Sequence, residues 1–198
     1  MQTAFLIDGF NFYHSIKSFP KNLRWFNYFD FCKHFMRATD TLHSITYFTA
    51  RAYWLQDSAA RHGVFIDACK TLGVRVVEGK FKEKTTTCPI CKKKTIRHEE
   101  KATDVNLALH AYRIAKNVEQ IFLVTGDTDL VPAIKMIKQD YPSVKVGVIF
   151  PFNRSTRELK DEAHLTHKVS QKILGQFVLS PTLLKKDGTL ITCPDPWL

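Results

Sequence analysis

The sequence has no long hydrophobic run, and this absence bounds the class of protein. No apolar stretch approaches the roughly 20 residues that a helix needs to cross a bilayer. The first eight residues contain no basic residue and end in an acid, so we expect no signal peptide. There is no internal repeat and no low-complexity segment. At 198 residues we expect a soluble cytoplasmic protein with one main domain, a sizeable core and no membrane partner.

Cysteine and acidic residues are both scarce. An odd count of five cysteines favours a reducing compartment over a disulfide framework. Only 19 acids face 29 lysines and arginines, which leaves a net charge of +10. Half of that charge falls in one stretch with eight basic residues and three acids: Lys80, Lys82, Lys84, Lys92, Lys93, Lys94, Arg97 and Lys101, against Glu83, Glu99 and Glu100. This density predicts a polyanionic partner, with a solvated mobile loop as the alternative.

Apolar runs and helical patterns alternate along the chain. Five runs predict buried strands, at residues 4–8, 45–53, 74–77, 121–124 and 144–150. Helical patterns lie at residues 11–18, 28–37, 58–72, 103–116 and 129–139, and a capping-box pattern at 155–158 predicts a further helix. Strands alternating with helices predict an α/β fold, a Rossmann-like three-layer sandwich with a mainly parallel sheet of about five strands. A turn at residues 185–188 and an extended tail from residue 193 complete the prediction.

Four aspartates stand where a strand should end or a helix should begin. Asp8 closes the first run, Asp127 and Asp129 follow the fourth, and Asp104 opens a helix. Ligands of open α/β sheets bind beyond the carboxyl ends of the strands, so we expect these acids to share one site. Carboxylates about 4 Å apart repel by roughly 4 kcal/mol at an effective dielectric near 20, and a cation offsets this repulsion. Oxygen ligands favour Mg²⁺ or Mn²⁺, and the usual chemistry of such a site is phosphoryl transfer to water.

A second metal site is predicted in the basic stretch. Cys88 and Cys91 form a Cys-x-x-Cys pair of the type that binds zinc, and His98 is a candidate third ligand. The fourth ligand stays open between Cys69, His62 and a residue from the second subunit of a homodimer. Free thiols in a β-turn are the alternative to a structural Zn²⁺ site.

Four segments in fixed order carry a resemblance to a known family: residues 5–11, 98–106, 125–132 and 150–160. Together they resemble the NYN domain family of PIN-like nucleases, especially its bacterial LabA-like branch. The resemblance implies a PIN-like fold over residues 1–165, interrupted by the cationic insertion at about 80–98. We expect residues 166–198 to form a helix, a hairpin and a tail that pack on this domain.

The resemblance implies a Mg²⁺ or Mn²⁺ ion held by Asp8, Asp104, Asp127 and Asp129, with Asn11 beside the metal or the scissile phosphate. The predicted activity is that of a metal-dependent endoribonuclease, which hydrolyses single-stranded or flexible RNA with a metal-activated water. The candidate substrate-binding residues are Thr125, Lys101, Arg154, Ser155, Arg157, Lys92, Lys93 and Lys94.

Two alternative functions stay open at this point. The first is a nucleic-acid-binding regulatory module whose metal site turns over little or not at all. The second is a small-molecule phosphatase, which is less favoured because the first strand lacks a second acid two residues after Asp8.

Overall fold

The structure is a computed structural model that describes residues 1–198. The strands, in chain order, are β1 (Gln2–Asp8), β2 (Thr41–Thr49), β3 (Arg75–Glu78), β4 (Lys80–Thr87), β5 (Lys94–Lys101), β6 (Gln120–Val124), β7 (Lys145–Phe150), β8 (Leu165–Lys168), β9 (Thr182–Leu184) and β10 (Leu190–Thr192). The helices are α1 (Gly9–Ile16), α2 (Tyr28–His34), α3 (Gln56–Thr71), α4 (Thr103–Ala115), α5 (Val131–Asp140), α6 (Arg157–Glu162) and α7 (Gln171–Leu174). None of these helices has the length and apolar character needed to span a bilayer.

Six parallel strands form the central sheet, in the order β3-β2-β1-β6-β7-β8. The predicted parallel α/β sheet is therefore confirmed, and all five predicted strands are present. The sixth strand, β8, was missed because its sequence, Leu165 to Lys168, contains no apolar run. It lies at the edge of the sheet, where a strand is covered less and needs less apolar surface. The strand order reverses between β1 and β6, which makes their carboxyl ends a topological switch point.

Helices cover both faces of the sheet, so the three-layer arrangement is also confirmed. On one face α4, α5 and α6 bury Leu107, Ile134 and Leu159 against the strands. On the other face α1, α2 and α3 pack an aromatic core that includes Phe12 and Phe31. The first turns of α1 and α4, and the turn that leads into α5, therefore lie at the carboxyl edge of the sheet next to the switch point.

The C-terminal residues fold onto the aromatic face. A boundary between residues 165 and 166 falls inside β8, so the sheet itself continues past the expected end of the domain. The hairpin β9–β10 forms around the predicted turn, with Gly188 at φ +84°. The tail is not extended as predicted: Asp195–Trp197 is a 3₁₀ turn, and the Trp197 ring is buried with its centroid 6.3 Å from that of Phe65. Burial of this large ring outweighs the solvation of an extended tail.

The starts of α1, α5 and α6 each carry a residue pattern typical of a helix N-terminus, and the expected local structure forms in the first two. Asp8 caps α1 by accepting the backbone N–H of Asn11. Pro132 lies in the first turn of α5, where its missing N–H costs nothing. The predicted capping box of α6 does not form: the helix begins after Thr156, and no side chain there accepts a backbone N–H.

The cationic stretch forms a two-stranded antiparallel ribbon rather than a loop. Strands β4 and β5 pair over their full length, from Lys80 opposite Lys101 at the base to Thr87 opposite Lys94 near the tip. We call β4, β5 and the turn at residues 88–93 the ribbon, and that turn the ribbon tip. Seven residue steps of about 3.4 Å place the tip roughly 24 Å from the base.

Candidate metal centre

Three of the four predicted aspartates converge at the switch point. Asp8 ends β1, Asp127 follows β6, and Asp104 lies in the first turn of α4. One carboxylate oxygen from each lies within 4.8 Å of the others. Asp8 is buried, and the other two are partly exposed. The three elements therefore bring their acids to one point, as the strand ends predicted.

Hydrogen bonds hold Asp8 and the loop after β6 in fixed positions. The hydroxyl of Thr125 donates to Asp8 Oδ2 at 2.8 Å and accepts the backbone N–H of Asp127 at 3.0 Å. Asp8 Oδ1 accepts the backbone N–H of Asn11 at 2.9 Å. Asn11 Oδ1 in turn accepts the N–H of Gly126 at 3.0 Å. Asn11 therefore bridges α1 and the Asp127 loop, while its side-chain amide group keeps its donors for another partner.

The carboxylates repel one another because they carry like charges, and no basic side chain among them offsets the repulsion. Burial raises the pKa of Asp8, and the charges of Asp127 and Glu100 raise it further. The pKa of Asp104 is raised to about 6, first by burial and then by the charges of Asp8, Asp127, Glu100 and Asp129. A cluster that holds several negative charges at neutral pH, with oxygen donors alone, matches what a hard divalent cation requires.

Asp129 does not join the three clustered carboxylates, which corrects the predicted set of four. Its side chain is exposed on the 3₁₀ turn Thr128–Leu130, and its backbone N–H donates to Asp127 Oδ1 at 3.0 Å. The two-residue spacing makes this local bond possible, and it fixes the Asp127 carboxylate against the Asp129 backbone. Its charge is still close enough to raise the pKa of Asp104.

Glu100 is the acid that the sequence prediction missed at this site. It accepts the backbone N–H of Thr103 at 3.0 Å and also bonds the Thr103 hydroxyl, so it satisfies the first backbone N–H of α4. Its charge acts on both Asp8 and Asp104. The available signal was its position three residues before the helix start, in a run otherwise read only as part of a basic stretch.

The loop after β7 forms the next wall of the site. A Cβ on Gly126 would lie 2.0 Å from the carbonyl oxygen of Arg154, so this close approach requires glycine. The Arg154 side chain is exposed here, and its charge, after burial, lowers the pKa of His14. Ser155 is exposed beside it. Arg157 is also exposed, with its Nε 3.6 Å from Asp161 Oδ2. The Arg154 backbone therefore packs against the loop that carries Asp127, while the Arg157 side chain is exposed to solvent.

The ribbon presents its positive charge on one face. Alternation along paired strands puts one set of side chains on the same side, which we call the cationic face: Lys80, Lys82, Lys84, Arg97 and Lys101. Glu99 lies among them and binds Lys84 and Lys101, each at 3.0 Å. The predicted substrate-binding residues Lys92, Lys93 and Lys94 are exposed at or beside the tip, far from the acid cluster at the base.

The opposite face of the ribbon packs on the domain. His98 stacks on Trp54 with a centroid distance of 3.6 Å, and the edge of Phe81 contacts the same indole at 4.7 Å. Phe81 also packs edge-on against Phe10 of α1 at 5.7 Å. These aromatic contacts anchor the base of the ribbon beside the acid cluster, in contrast to the mobile loop considered above.

The expected zinc set is not assembled. Cys88 and Cys91 lie together at the ribbon tip, where the backbone N–H groups of Cys91 and Ile90 lower the pKa of the Cys88 thiol. His98 pairs with Glu83, five residues before Cys88 and roughly 17 Å from it along the strand. Antiparallel register separates two positions that are close in sequence. Cys69 is buried in the core, and His62 is bonded to Thr49, so neither supplies a fourth ligand.

Comparison with known proteins places the chain in a family. The family profile described as NYN domain matches residues 2–170. A crystal structure of a protein of unknown function from Vibrio parahaemolyticus superimposes with a TM-score of 0.59, at 22% identity, over 90% of this chain and 96% of that one. The curated 6-hydroxy-3-succinoylpyridine 3-monooxygenase HspA of Pseudomonas putida is 29% identical, in an alignment that covers 79% of this chain and 62% of that relative. The profile match is to the NYN domain as a whole, and the LabA-like branch stays a prediction.

Proposed function

Because the chain belongs to the NYN domain family of PIN-like nucleases, we propose that it is a metal-dependent endoribonuclease that hydrolyses single-stranded or flexible RNA. The observation that carries this proposal is the group of three carboxylates, Asp8, Asp104 and Asp127, within 4.8 Å of one another at the switch point of the sheet. Such a group is costly without a cation, and phosphodiester hydrolysis is the chemistry that it supports best.

The three clustered aspartates would hold a Mg²⁺ or Mn²⁺ ion. All three offer oxygen donors, and their mutual repulsion, expressed in the raised pKa of Asp104, is the cost that the ion would offset. A bound ion of this kind lowers the pKa of water and polarises a phosphoryl oxygen. Glu100 and Asp129 stand just outside the group, where they would add negative charge around the ion.

The chain's own residues would hold this site rigid and position the substrate. Thr125 and Asn11 orient the Asp8 carboxylate and the Asp127 loop before any substrate arrives, which is the preorganisation that catalysis requires. The free amide hydrogens of Asn11 and the exposed Arg154 and Ser155 would donate to phosphate oxygens. Lys101 leads from the site onto the cationic face of the ribbon, along which a strand's phosphates would run.

The decisive experiment compares two aspartate variants on labelled RNA in Mg²⁺ or Mn²⁺. We expect Asp127→Asn to lose cleavage and metal binding while it keeps RNA affinity, because only a negative charge near the backbone is removed. The matched control is Asp67→Asn, an exposed aspartate on α3, which should cleave like the parent. A parent protein that binds RNA without cutting it in either metal would instead establish the regulatory binding module. Release of phosphate from a small monoester without RNA cleavage would establish the phosphatase.

The monooxygenase activity in the name of the Pseudomonas putida relative is not carried over to this chain. The identity is 29%, and this chain covers less than two thirds of that protein. The carboxylate cluster favours phosphoryl transfer.

The zinc proposal rests on two ligands. Cys88 and Cys91 are exposed or partly exposed at the ribbon tip, and two backbone N–H groups already bond the Cys88 sulfur. Such amide bonds stabilise a thiolate, which is the form that binds metal. A closed structural zinc site has four ligands, so the missing two would come from the ribbon tip of a second chain in a homodimer. The lysines beside the tip would then offset the negative charge of a four-thiolate zinc site.

A further inference from the structure

A cavity of about 210 Å³ opens beside the acid cluster, on the aromatic face of the sheet. It lies between α1, the end of β2 and α3, and Phe81 of the ribbon closes one side. Tyr28 and Tyr47 line it, as do Phe10 and Tyr13 of α1. Neither the carboxylates nor the cationic face of the ribbon occupies this space, so it is a separate feature of the same edge of the sheet.

The cavity adjoins the acid cluster through two elements. Gly9 lines the cavity and directly follows Asp8, so the chain passes from one site to the other within a single residue. Phe81 lines the cavity as well, and it pairs across the ribbon with Glu100, whose charge acts on Asp8 and Asp104. A group seated in the cavity would therefore lie next to a phosphate held at the carboxylates.

The chemistry of the walls selects a flat, partly polar ring. Twelve of the 18 lining residues are hydrophobic and eight of these are aromatic, and a few polar side chains also reach the cavity, a combination typical of small-molecule sites. The volume is below the roughly 300 Å³ at which drug-sized pockets begin, so it suits one ring system rather than a longer ligand. His62 faces the cavity in its neutral form, since burial lowers its pKa to about 4, and it shares a hydrogen bond of 3.2 Å with Thr49.

The wall of the cavity includes two positively charged residues. Arg24 and Arg61 both line it, and the Arg24 guanidinium lies over the Tyr13 ring at 5.8 Å from the centroid. Tyr13 is 38% exposed, so its ring is partly accessible to solvent at the cavity. A flat ring that carries an anionic backbone satisfies both the aromatic walls and the two arginines.

We propose that this cavity is a nucleobase pocket, which receives one unpaired base of an RNA strand next to the phosphate held at Asp8, Asp104 and Asp127. The inference rests on the proposed function, because it supplies the part of the nuclease site that recognises the strand as single-stranded. A paired base is stacked inside a duplex and has no free ring to insert, so the pocket would discriminate against duplex RNA.

The test measures binding of a short single-stranded RNA and of the same RNA with one abasic nucleotide. All proteins carry Asp127→Asn so that substrate is not consumed. At the RNA position where loss of the base has the largest effect on the parent, the abasic nucleotide should weaken binding about 5- to 150-fold, the range that stacking of one base supplies. Tyr13→Ala, which removes a wall, and Ser58→Trp, which fills the mouth, should weaken binding of the intact RNA and abolish the difference between the two RNAs.

Tyr112→Ala is the matched control, since this partly exposed tyrosine lies on α4 on the opposite face of the sheet. It should leave both affinities and their difference unchanged. The proposal of a base pocket is overturned if removal of one base weakens binding equally in the parent, Tyr13→Ala and Ser58→Trp. This holds whether or not the protein with Asp127 intact cleaves RNA. It is also overturned if a free mononucleotide binds the cavity while the RNA strand does not compete for it. The nuclease proposal alone would be overturned if the protein with Asp127 intact does not cleave RNA, while both pocket variants lose the difference in affinity between intact and abasic RNA. The proposal of a base pocket would then still hold.

Discussion

The side-chain oxygen of Asn11 accepts the backbone N–H of Gly126 at 3.0 Å, and this bond joins the first helix to the loop that carries Asp127. Gly126 is itself confined by the backbone of Arg154, which leaves no room for a side chain. The position of Asp127 relative to Asp8 therefore depends on contacts between segments more than 100 residues apart in sequence. Asn11 is a positioning residue for the acid cluster as well as a candidate contact to phosphate.

Replacing Asn11 by alanine should loosen the acid cluster without unfolding the protein. The N–H of Gly126 would lose its partner, which costs about 1 kcal/mol of unfolding free energy. We expect a larger relative loss in the thermal stabilisation that Mn²⁺ confers, because Asp127 is no longer held opposite Asp8. Denaturant titration and melting curves with and without Mn²⁺ measure the two effects. Asn22→Ala, at an exposed asparagine, is the control; equal metal responses in the two variants would contradict the positioning role.

Replacing Asp104 by asparagine should stabilise the metal-free protein at neutral pH. The pKa of Asp104 is about 6 in the folded state, above its ordinary value of 3.8, so the folded protein loses stability as pH rises between these values. Asparagine removes that cost, by about 1 kcal/mol once partial exposure is discounted. The gain should appear in chelator at pH 7 and vanish below about pH 4. In Mg²⁺ the parent should instead be more stable than Asp104→Asn. If the parent is already the more stable of the two in chelator, the repulsion argument is refuted.

His62 should make the stability of the domain fall in mild acid. Burial lowers its pKa to about 4 from 6.5, with Arg51 acting in the same direction and Glu78 against it. The unfolded chain therefore binds a proton that the folded chain excludes, and stability is lost as pH falls from 6.5 to 4. Between pH 6.5 and pH 4, we expect the unfolding free energy of His62→Gln to decrease by roughly 2–3 kcal/mol less than that of the parent, as measured by denaturant titration. His43→Gln, at an exposed position, should follow the parent, and an unchanged pH profile in His62→Gln would refute the assignment.

Substitutions on the cationic face and at the ribbon tip should have different effects on the binding of short and long RNA. Changing Lys82, Lys84 and Arg97 together to glutamine should weaken binding of short and long RNA and reduce the salt slope by up to about 2, at about 0.7 for each phosphate contact. The same change at Lys92, Lys93 and Lys94 should affect only long RNA, because the tip lies roughly 24 Å from the base of the ribbon. Affinities measured at several salt concentrations give both slopes. Equal losses on short RNA would mean that phosphates do not follow the ribbon from its base.

Removing the two tip cysteines should release zinc and dissociate the dimer without harm to the sheet. Protein purified without chelator should contain about one zinc ion for two chains, since each tip supplies two of four ligands. Cys88→Ser with Cys91→Ser should be zinc-free and monomeric, with an unchanged far-ultraviolet spectrum. Cys193→Ser, at a buried cysteine away from the ribbon, is the control. Elemental analysis and light scattering measure both quantities, and a zinc-free parent would return Cys88 and Cys91 to free thiols in a turn.

The parallel sheet and most of its acid cluster were predictable because both follow from local sequence. Apolar runs such as residues 121–124 can be buried only inside a covered sheet, and parallel strands place their carboxyl ends at one edge. Asp8 and Asp104 could therefore be assigned to that edge before any contact was known. Asp129 could not be separated from Asp127 in this way, because both follow the same strand and only the three-dimensional structure shows that Asp127 joins the cluster.

Long-range pairing decided what the sequence could not specify. The register of β4 and β5 separates His98 from Cys88, sorts the lysines onto one face and brings Glu100 to the acid cluster. None of these outcomes follows from local patterns, because a shift of one residue in register would exchange the two faces of the ribbon. The cavity beside Asp8 likewise requires α1, β2, α3 and the ribbon together. The sequence by itself determined the α/β class and the acids at the strand ends, since burial and strand direction are local consequences of apolar runs. Tertiary structure alone decided which side chains meet across the ribbon and around the cavity, since those distances are set by pairing between segments remote in the chain.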